Sequence, residues 1–247
     1  MQSLNTVLRL ACVIALCSCA INHIKDEKTV ITLPATGPEN ARPMVISLVK
    51  GSQWWHKITP GPFVIYIYPQ VVFWMEDAHG HFIKTLYVTG ADGKFAKHAT
   101  KKKMGAAFFR ECFPVWSNQL EKAGLKLPGS TTPYSDAVTS ATPQSSFAVA
   151  THIGQTNDSF IIYAEINKTG DYNDYYTEDR TGWIGQPSIV YSVMIDPIAK
   201  DQTYFLKPAG HGSTDKDTPV FREGFTNITT ALEMVREISV VFDAPAK

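Results

Sequence analysis

Apolar residues in this chain gather in short runs that alternate or are β-branched, and polar, Gly- and Asn/Asp-rich segments separate them. ARPMVISLVKG is such a run and ends at Gly51. FVIYIYPQVVFWME alternates and is rich in aromatics, with Pro69 interrupting it as a bulge or edge position. DAHG reads as a turn, and HFIKTLYVTG completes a hairpin with the strand before it. FAVATHI and SFIIYAEIN are two further strands joined by the polar turn GQTND, and PSIVYSVMID pairs in the same way with QTYFLKP across PIAKD. REISVVFD is the last strand.

One segment departs from the period of two. In FPVWSNQLEKAGL, Pro114 suits a first helical turn, where no amide donor is needed, and Gly124 suits the end. Val115, Trp116, Leu120 and Ala123 then share a face turned to the sheet. ITTALEMV is either a second short helix or the lead-in to the last strand. Together these elements predict a mainly β fold: an antiparallel β-sandwich with one or two short helices, in a single domain over residues 41–247.

The N-terminus changes the picture from a globular domain to an exported one. Arg9 precedes the apolar run LACVIALCSCA, which is too short to span a bilayer and suits a signal-peptide core. Leu16-Cys17-Ser18-Cys19 resembles the lipoprotein box of bacterial lipoproteins. The resemblance implies a signal peptide over 1–18, removed on export, a fatty-acylated Cys19 as the new N-terminus, and a tether over 19–40. An ordinary cleaved signal is the alternative. Ala20, where an aspartate would imply retention at the inner membrane, favours the outer membrane, so the expected location is the periplasmic side of a bacterial envelope. Of four cysteines, only Cys112 then stays in the folded part, too few for an internal disulfide. It lies among aromatics in FFRECFPVW, as a buried inert thiol would. The 247 residues carry 23 basic and 23 acidic side chains. That balance excludes a nucleic-acid partner, which needs a basic face.

Several constellations invite a chemical reading. Asp77, His79 and His81 stand at every second position, a metal-gripping spacing if extended, but Gly80 and the hairpin context favour a wet turn. KTGDYNDYYTEDR concentrates Asp171, Asn173, Asp174, Glu178 and Asp179 without the glycine and terminal glutamate of a calcium loop. Its aromatic residues Tyr172, Tyr175 and Tyr176, with Trp183 shortly after, are candidates for contact with a protein or glycan partner. Lys97, Lys101, Lys102 and Lys103 form a solvated basic run, suited also to an anionic ligand or lipid headgroups. Glu76, Asp77 and Glu165 are carboxylates on strands, with nothing that sets two of them as an acid–base pair. Nucleophile-elbow, phosphate-loop, dinucleotide and zincin motifs are absent from the sequence.

The sharpest motif is Asp136-Ala137-Val138-Thr139-Ser140-Ala141-Thr142. It is similar to the recognition sequence of periplasmic flavin transferases (the ApbE type), which join FMN through its phosphate to the last threonine. The resemblance implies covalent FMN on Thr142, with Asp136 and Thr139 as the other cofactor-binding positions and a flavin transferase as partner. Read without it, the segment is a turn: Asp136 capping, Thr139 and Thr142 bonding backbone groups, Pro143 starting the exit.

WMEDAHGHFIKTLYVT, FPVW, DAVTSATP, EINKTGDYND, GQPSIVY and PAGHG, in this order, resemble a family of predicted periplasmic proteins whose genes stand near, or are fused to, those of PepSY-type membrane proteins and flavin transfer. The resemblance covers about Phe63 to Phe242 and implies an exported, immunoglobulin-like sandwich without supplying catalytic residues. The expected function is a non-catalytic accessory or carrier of an envelope redox system, anchored in the membrane by lipid. The alternative is a cofactor-free binding module.

Overall fold

The computed structural model describes residues 29–32, 41–59, 62–89, 106–128, 138–140, 143–154, 156–199, 202–213 and 220–242. Two large sheets face each other. The five-stranded sheet has the order β1 (Thr29–Thr32), β8 (Phe147–Ile153), β2 (Arg42–Lys50), β14 (Val235–Phe242), β11 (Thr203–Phe205). The seven-stranded sheet has the order β13 (Phe221–Arg222), β12 (Lys207–Gly212), β10 (Ile189–Ile195), β9 (Phe160–Asn167), β5 (Gln70–Asp77), β6 (Phe82–Thr89), β7 (Val138–Ser140). A third, two-stranded sheet, β3 (His56–Ile58) with β4 (Ile65–Ile67), is hydrogen-bonded to neither. The fold is thus the mainly β sandwich with short helices that the hydrophobic pattern predicts.

The seven-stranded sheet is covered on both faces, which explains why β5 is apolar almost throughout instead of alternating. Val71, Phe73 and Met75 point into the sandwich against Phe147, Val149 and Ile162. Val72 and Trp74 point outward under α1 (Ala106–Cys112) and α2 (Pro114–Lys122). Pro114 opens α2, and Gly124 follows it with φ +74°, a conformation glycine adopts without strain. Val115, Trp116 and Leu120 are buried against the sheet as the spacing predicts; Ala123 is instead exposed, because it lies beyond the last helical turn. ITTALEMV resolves into a 3₁₀ turn, Thr230–Glu233, running straight into β14.

Two predicted pairings differ. β8 and β9 do not pair: the chain crosses at residues 154–159 from one sheet to the other. QTYFLKP is likewise split. Thr203–Phe205 pairs with β14, and from Lys207 the chain pairs with β10, with buried Leu206 at the crossing. Turn residues signal a reversal, and they do not say which sheet receives the next strand.

Candidate functional site

Strand registers sort the loops into two poles. Lys50, Asn167, Ile189, Thr89, Ser140 and Phe147 end or begin their strands at one pole; Arg42, Asp77, Phe160, Ile195 and Phe242 do so at the other.

The first pole is knitted by buried polar contacts. Trp54, 1% exposed, donates its Nε1–H to the carbonyl of buried Pro143 at 3.2 Å. Lys168 Nζ donates to the carbonyl of Gln53 at 2.7 Å and stands 3.6 Å from Asp171 Oδ2. Asp171 Oδ1 accepts from Thr230 Oγ1 at 2.8 Å, and Gln186 bonds Thr230 and the Thr229 amide. Among the described residues, both ring nitrogens of His56 are buried without a hydrogen-bond partner, over Gly170. Burial and the nearby Lys168 ammonium push the His56 pKa below the ordinary histidine value, against a weaker pull from Asp171. Lys168 is held below the ordinary lysine value, chiefly by burial. Gly185 makes the junction possible: its φ is +78°, and a Cβ there would lie 2.6 Å from the Asp171 amide nitrogen.

The predicted partner-binding aromatics divide. Tyr172 and Tyr175 are each 39% exposed, but Tyr176 is buried in the sandwich core. Asn173 sets that split, since its Oδ1 accepts the amides of both Tyr175 and Tyr176 and folds the loop back on itself. Tyr172 donates its hydroxyl to Gly182 O, and the Arg180 guanidinium lies 3.8 Å from the Tyr175 ring centre. Trp183 is half-buried and stacks on Phe108. Asp171 is a buried structural carboxylate, whereas Asp174, Glu178 and Asp179 are exposed; no metal-sized group of His, Cys, Asp and Glu occurs among the described residues.

Of the flavin-acceptor motif, Val138–Ser140 forms β7, the outermost strand of the seven-stranded sheet, with Thr139 opposite Val88. Asp136 and Thr142 lie outside the described residues, as do Cys19 and the lysines at 97 and 101–103. Pro143, next after Thr142, is fixed by Trp54.

The remaining carboxylates sit apart. Glu165 is fully buried under the start of α2, accepting from the amides of Val115 (3.3 Å) and Trp116 (2.8 Å) and from Ser188 Oγ (2.6 Å). Burial outweighs these bonds and raises its pKa to about 7. Glu76, also raised by burial, accepts from Trp74 Nε1 at 2.7 Å. Glu165 is opposite Val72, four residues from Glu76 along β5, so the two carboxylates stand roughly 13 Å apart. That is too far for a shared proton. At the other pole Asp77 accepts from the amides of His79 and His81 and from the His81 ring, an Asx turn in which the two imidazoles are 6.3 Å apart. Cys112 is a buried free thiol whose pKa burial pushes well up, an unreactive group.

One feature has no counterpart among the sequence candidates. The β3–β4 hairpin exposes Trp55 (50%), Ile58 (38%), Phe63 (68%), Val64 (49%), Ile65 (43%) and Tyr66 (52%). The signal lay in FVIYI, which the sequence pattern joins to QVVFWME as one aromatic-rich strand. No family model, curated protein or solved structure matches the chain.

Proposed function

We propose that this protein is a non-catalytic accessory of an envelope redox system, lipid-anchored through Cys19 on the periplasmic side of a bacterial envelope, and that it carries FMN on Thr142. The observation that carries the reading is the setting of the acceptor segment. Its middle is, among the described residues, the outermost strand of its sheet, and the residue after Thr142 is held by the Trp54–Pro143 bond. A transferase needs an accessible backbone, and a carried flavin needs a fixed base. In the transfer, Thr142 Oγ forms a P–O bond to the FMN phosphorus while a P–O bond of an activated flavin donor breaks; the donor's leaving group keeps its oxygen and the hydroxyl proton passes to the transferase's base. The flavin would then supply the electron chemistry, and the chain its position and exposure.

A second reading is favoured by the exposed rings of Tyr172 and Tyr175: a cofactor-free module that contacts a protein or glycan through this loop. Tyr176 and Trp183 belong to packing in that case, not to contact.

Co-expression with a flavin transferase separates the two. Intact mass and in-gel fluorescence are expected to show one FMN on the wild type and none on Thr142→Ala. An unmodified wild type would sink the carrier and leave the binding module; flavin on both proteins would move the attachment site. Intact mass should show lipid on Cys19 in the wild type and none in Cys19→Ser, and an unlipidated wild type would remove the anchor.

A further inference from the structure

We infer that the β3–β4 hairpin is a membrane-docking element that inserts its apolar side chains into the headgroup region of a lipid surface. Among the described residues, six of the fourteen exposed large hydrophobics lie within Trp55–Tyr66. Register places Lys57 opposite Tyr66 and Ile58 opposite Ile65, so Tyr66 with Trp55 projects from one face and Ile58 with Ile65 from the other. A protein partner laid on this ribbon covers one face, whereas a lipid interface surrounds both. Trp55 and Tyr66, in edge contact at 5.4 Å, are the amphipathic rings that settle at headgroup level, with Phe63 and Val64 nearer the tip. From Gly51 to Met75 the sequence holds no acidic residue and one lysine, Lys57, so nothing in this stretch opposes an anionic surface.

The tether points the same way; this step rests on the Cys19 reading. β1 begins at Thr29, opposite Phe147, which in turn faces Leu48, three residues before Gly51 and the root of the hairpin. Thr29, where β1 begins, therefore lies at the pole that bears the hairpin. Cys19 precedes Thr29 by ten residues, a span of at most about 35 Å. A lipid on Cys19 and an inserted hairpin would hold one pole against one membrane, giving the two attachments that stable anchoring takes. The pole with β7 and the Tyr172–Tyr175 loop then faces the bilayer, where a membrane-embedded partner would be met.

The test reads Trp55, since Trp54, Trp74 and Trp116 are buried, and Trp183 is half-buried with one ring face stacked on Phe108. The chain from Ala20 onward, which keeps every described residue and no lipid, is mixed with phosphatidylcholine/phosphatidylglycerol vesicles carrying acyl-brominated lipid. Co-sedimentation with quenched tryptophan emission is expected. Trp55→Phe should remove the quenching, and Phe63→Ser/Ile65→Ser should lower the partition coefficient by roughly tenfold or more. Both substituted side chains are exposed, so an unchanged near-ultraviolet circular dichroism spectrum will show that the fold persists. Absence of quenching both for this chain and for the lipidated protein in the same vesicles overturns the inference. So does concentration-dependent dimerisation without quenching that the double variant abolishes, which would make the occupant a second copy of the chain. Because the unlipidated chain is used, loss of the Cys19 anchor reading, detected by mass, leaves the hairpin result standing.

Discussion

At the pole formed by Arg42, Asp77, Phe160 and Phe242, polar groups are settled one by one, Arg42 in the interior and Asp77 at the surface. Arg42 donates to Pro197 O and lies 3.8 Å from the centre of the Phe242 ring, and Asp77 closes its own turn through two amides and one imidazole. At the opposite pole they are settled in the interior. Lys168 and Asp171 are buried together, His56 has two ring nitrogens unpartnered among the described residues, and the apolar side chains that would ordinarily cover such groups project outward from the hairpin. The Arg42–Asp77 pole also exposes large hydrophobes, Ile83, Met194 and Ile198, but they are dispersed over β6, β10 and the turn after it. The hairpin pole differs in concentration: six exposed hydrophobes are gathered on one ribbon beside a buried Lys168–Asp171 pair, and the proposed membrane docking rests on that difference.

The largest effect is expected where burial is deepest. Asp171→Ala leaves the Lys168 ammonium buried without its counter-charge and should cost about 3–5 kcal/mol in urea unfolding. Adding Lys168→Met removes the stranded charge and should recover much of that loss. If Asp171→Ala alone shifts the midpoint no more than a surface substitution does, the interior polar lock is not what holds this pole.

Next comes pH, where the buried Glu165 and the exposed Asp77 have opposite signs. Glu165, near the hairpin pole, titrates at about 7 when folded, above its ordinary 4.5. The folded state therefore binds this proton more tightly than the unfolded chain. The group's contribution is full below pH 4.5, declines as pH rises towards 7 and is flat beyond, a loss on the order of 3 kcal/mol. Glu76, raised by burial, has the same sign, while His56, lowered by burial, removes stability as pH falls below 6.5. The informative quantity is thus the difference between proteins. Glu165→Gln should flatten the stability profile between pH 4.5 and 8 relative to wild type, and an unchanged slope would show that Glu165 is ionised in the fold at neutral pH.

Trp54→Phe is expected to be milder. It preserves an aromatic ring in the core and loses the bond to Pro143 O, at about 1 kcal/mol, together with some packing. Its sharper signature is local: amide exchange at Thr139 and Ser140 should quicken more than exchange in β10, because Pro143 no longer holds the end of the segment that includes β7.

How much of this was legible in the sequence depends on whether the determining contacts are local. The outline of α2 was, because Pro114, Gly124 and the spacing of Val115, Trp116 and Leu120 are local facts. The strand β5 was legible for the same reason, but the run before it was not: Pro69, read as a bulge or edge position within one strand, separates β5 from β4, which pairs with β3 in another sheet. The separation of β11 from β12 was not, since pairing with β14 or β10 is decided across the molecule. The aromatic loop shows both cases. Its composition marked Tyr172, Tyr175 and Tyr176 as one group, and only the turn made by Asn173 sends Tyr176 inward. His56 and Lys168 drew no attention at all, being 112 residues apart and joined only by the fold.

The smallest effect is expected at the exposed Asp77 turn. Asp77 is held at about 2, below its ordinary 3.8, first by the His81 amide and then by the His81 ring. The sign is that of a stabilising carboxylate: its contribution is present above pH 3.8 and is lost as pH falls towards 2. His81→Ala removes the ring but keeps the amide bond, so most of the depression should survive, and carboxylate titration followed by carbon-13 shifts should show Asp77 moving only part of the way to 3.8. Stability at neutral pH should hardly change, since the exposed pair is screened by water. An Asp77 that returned fully to 3.8 would make this turn depend on a side-chain partner, as the interior of the other pole does. An Asp77 that stays low keeps the contrast: here the backbone settles the charge by itself, whereas Asp171 depends on residues brought from Thr230 and Lys168.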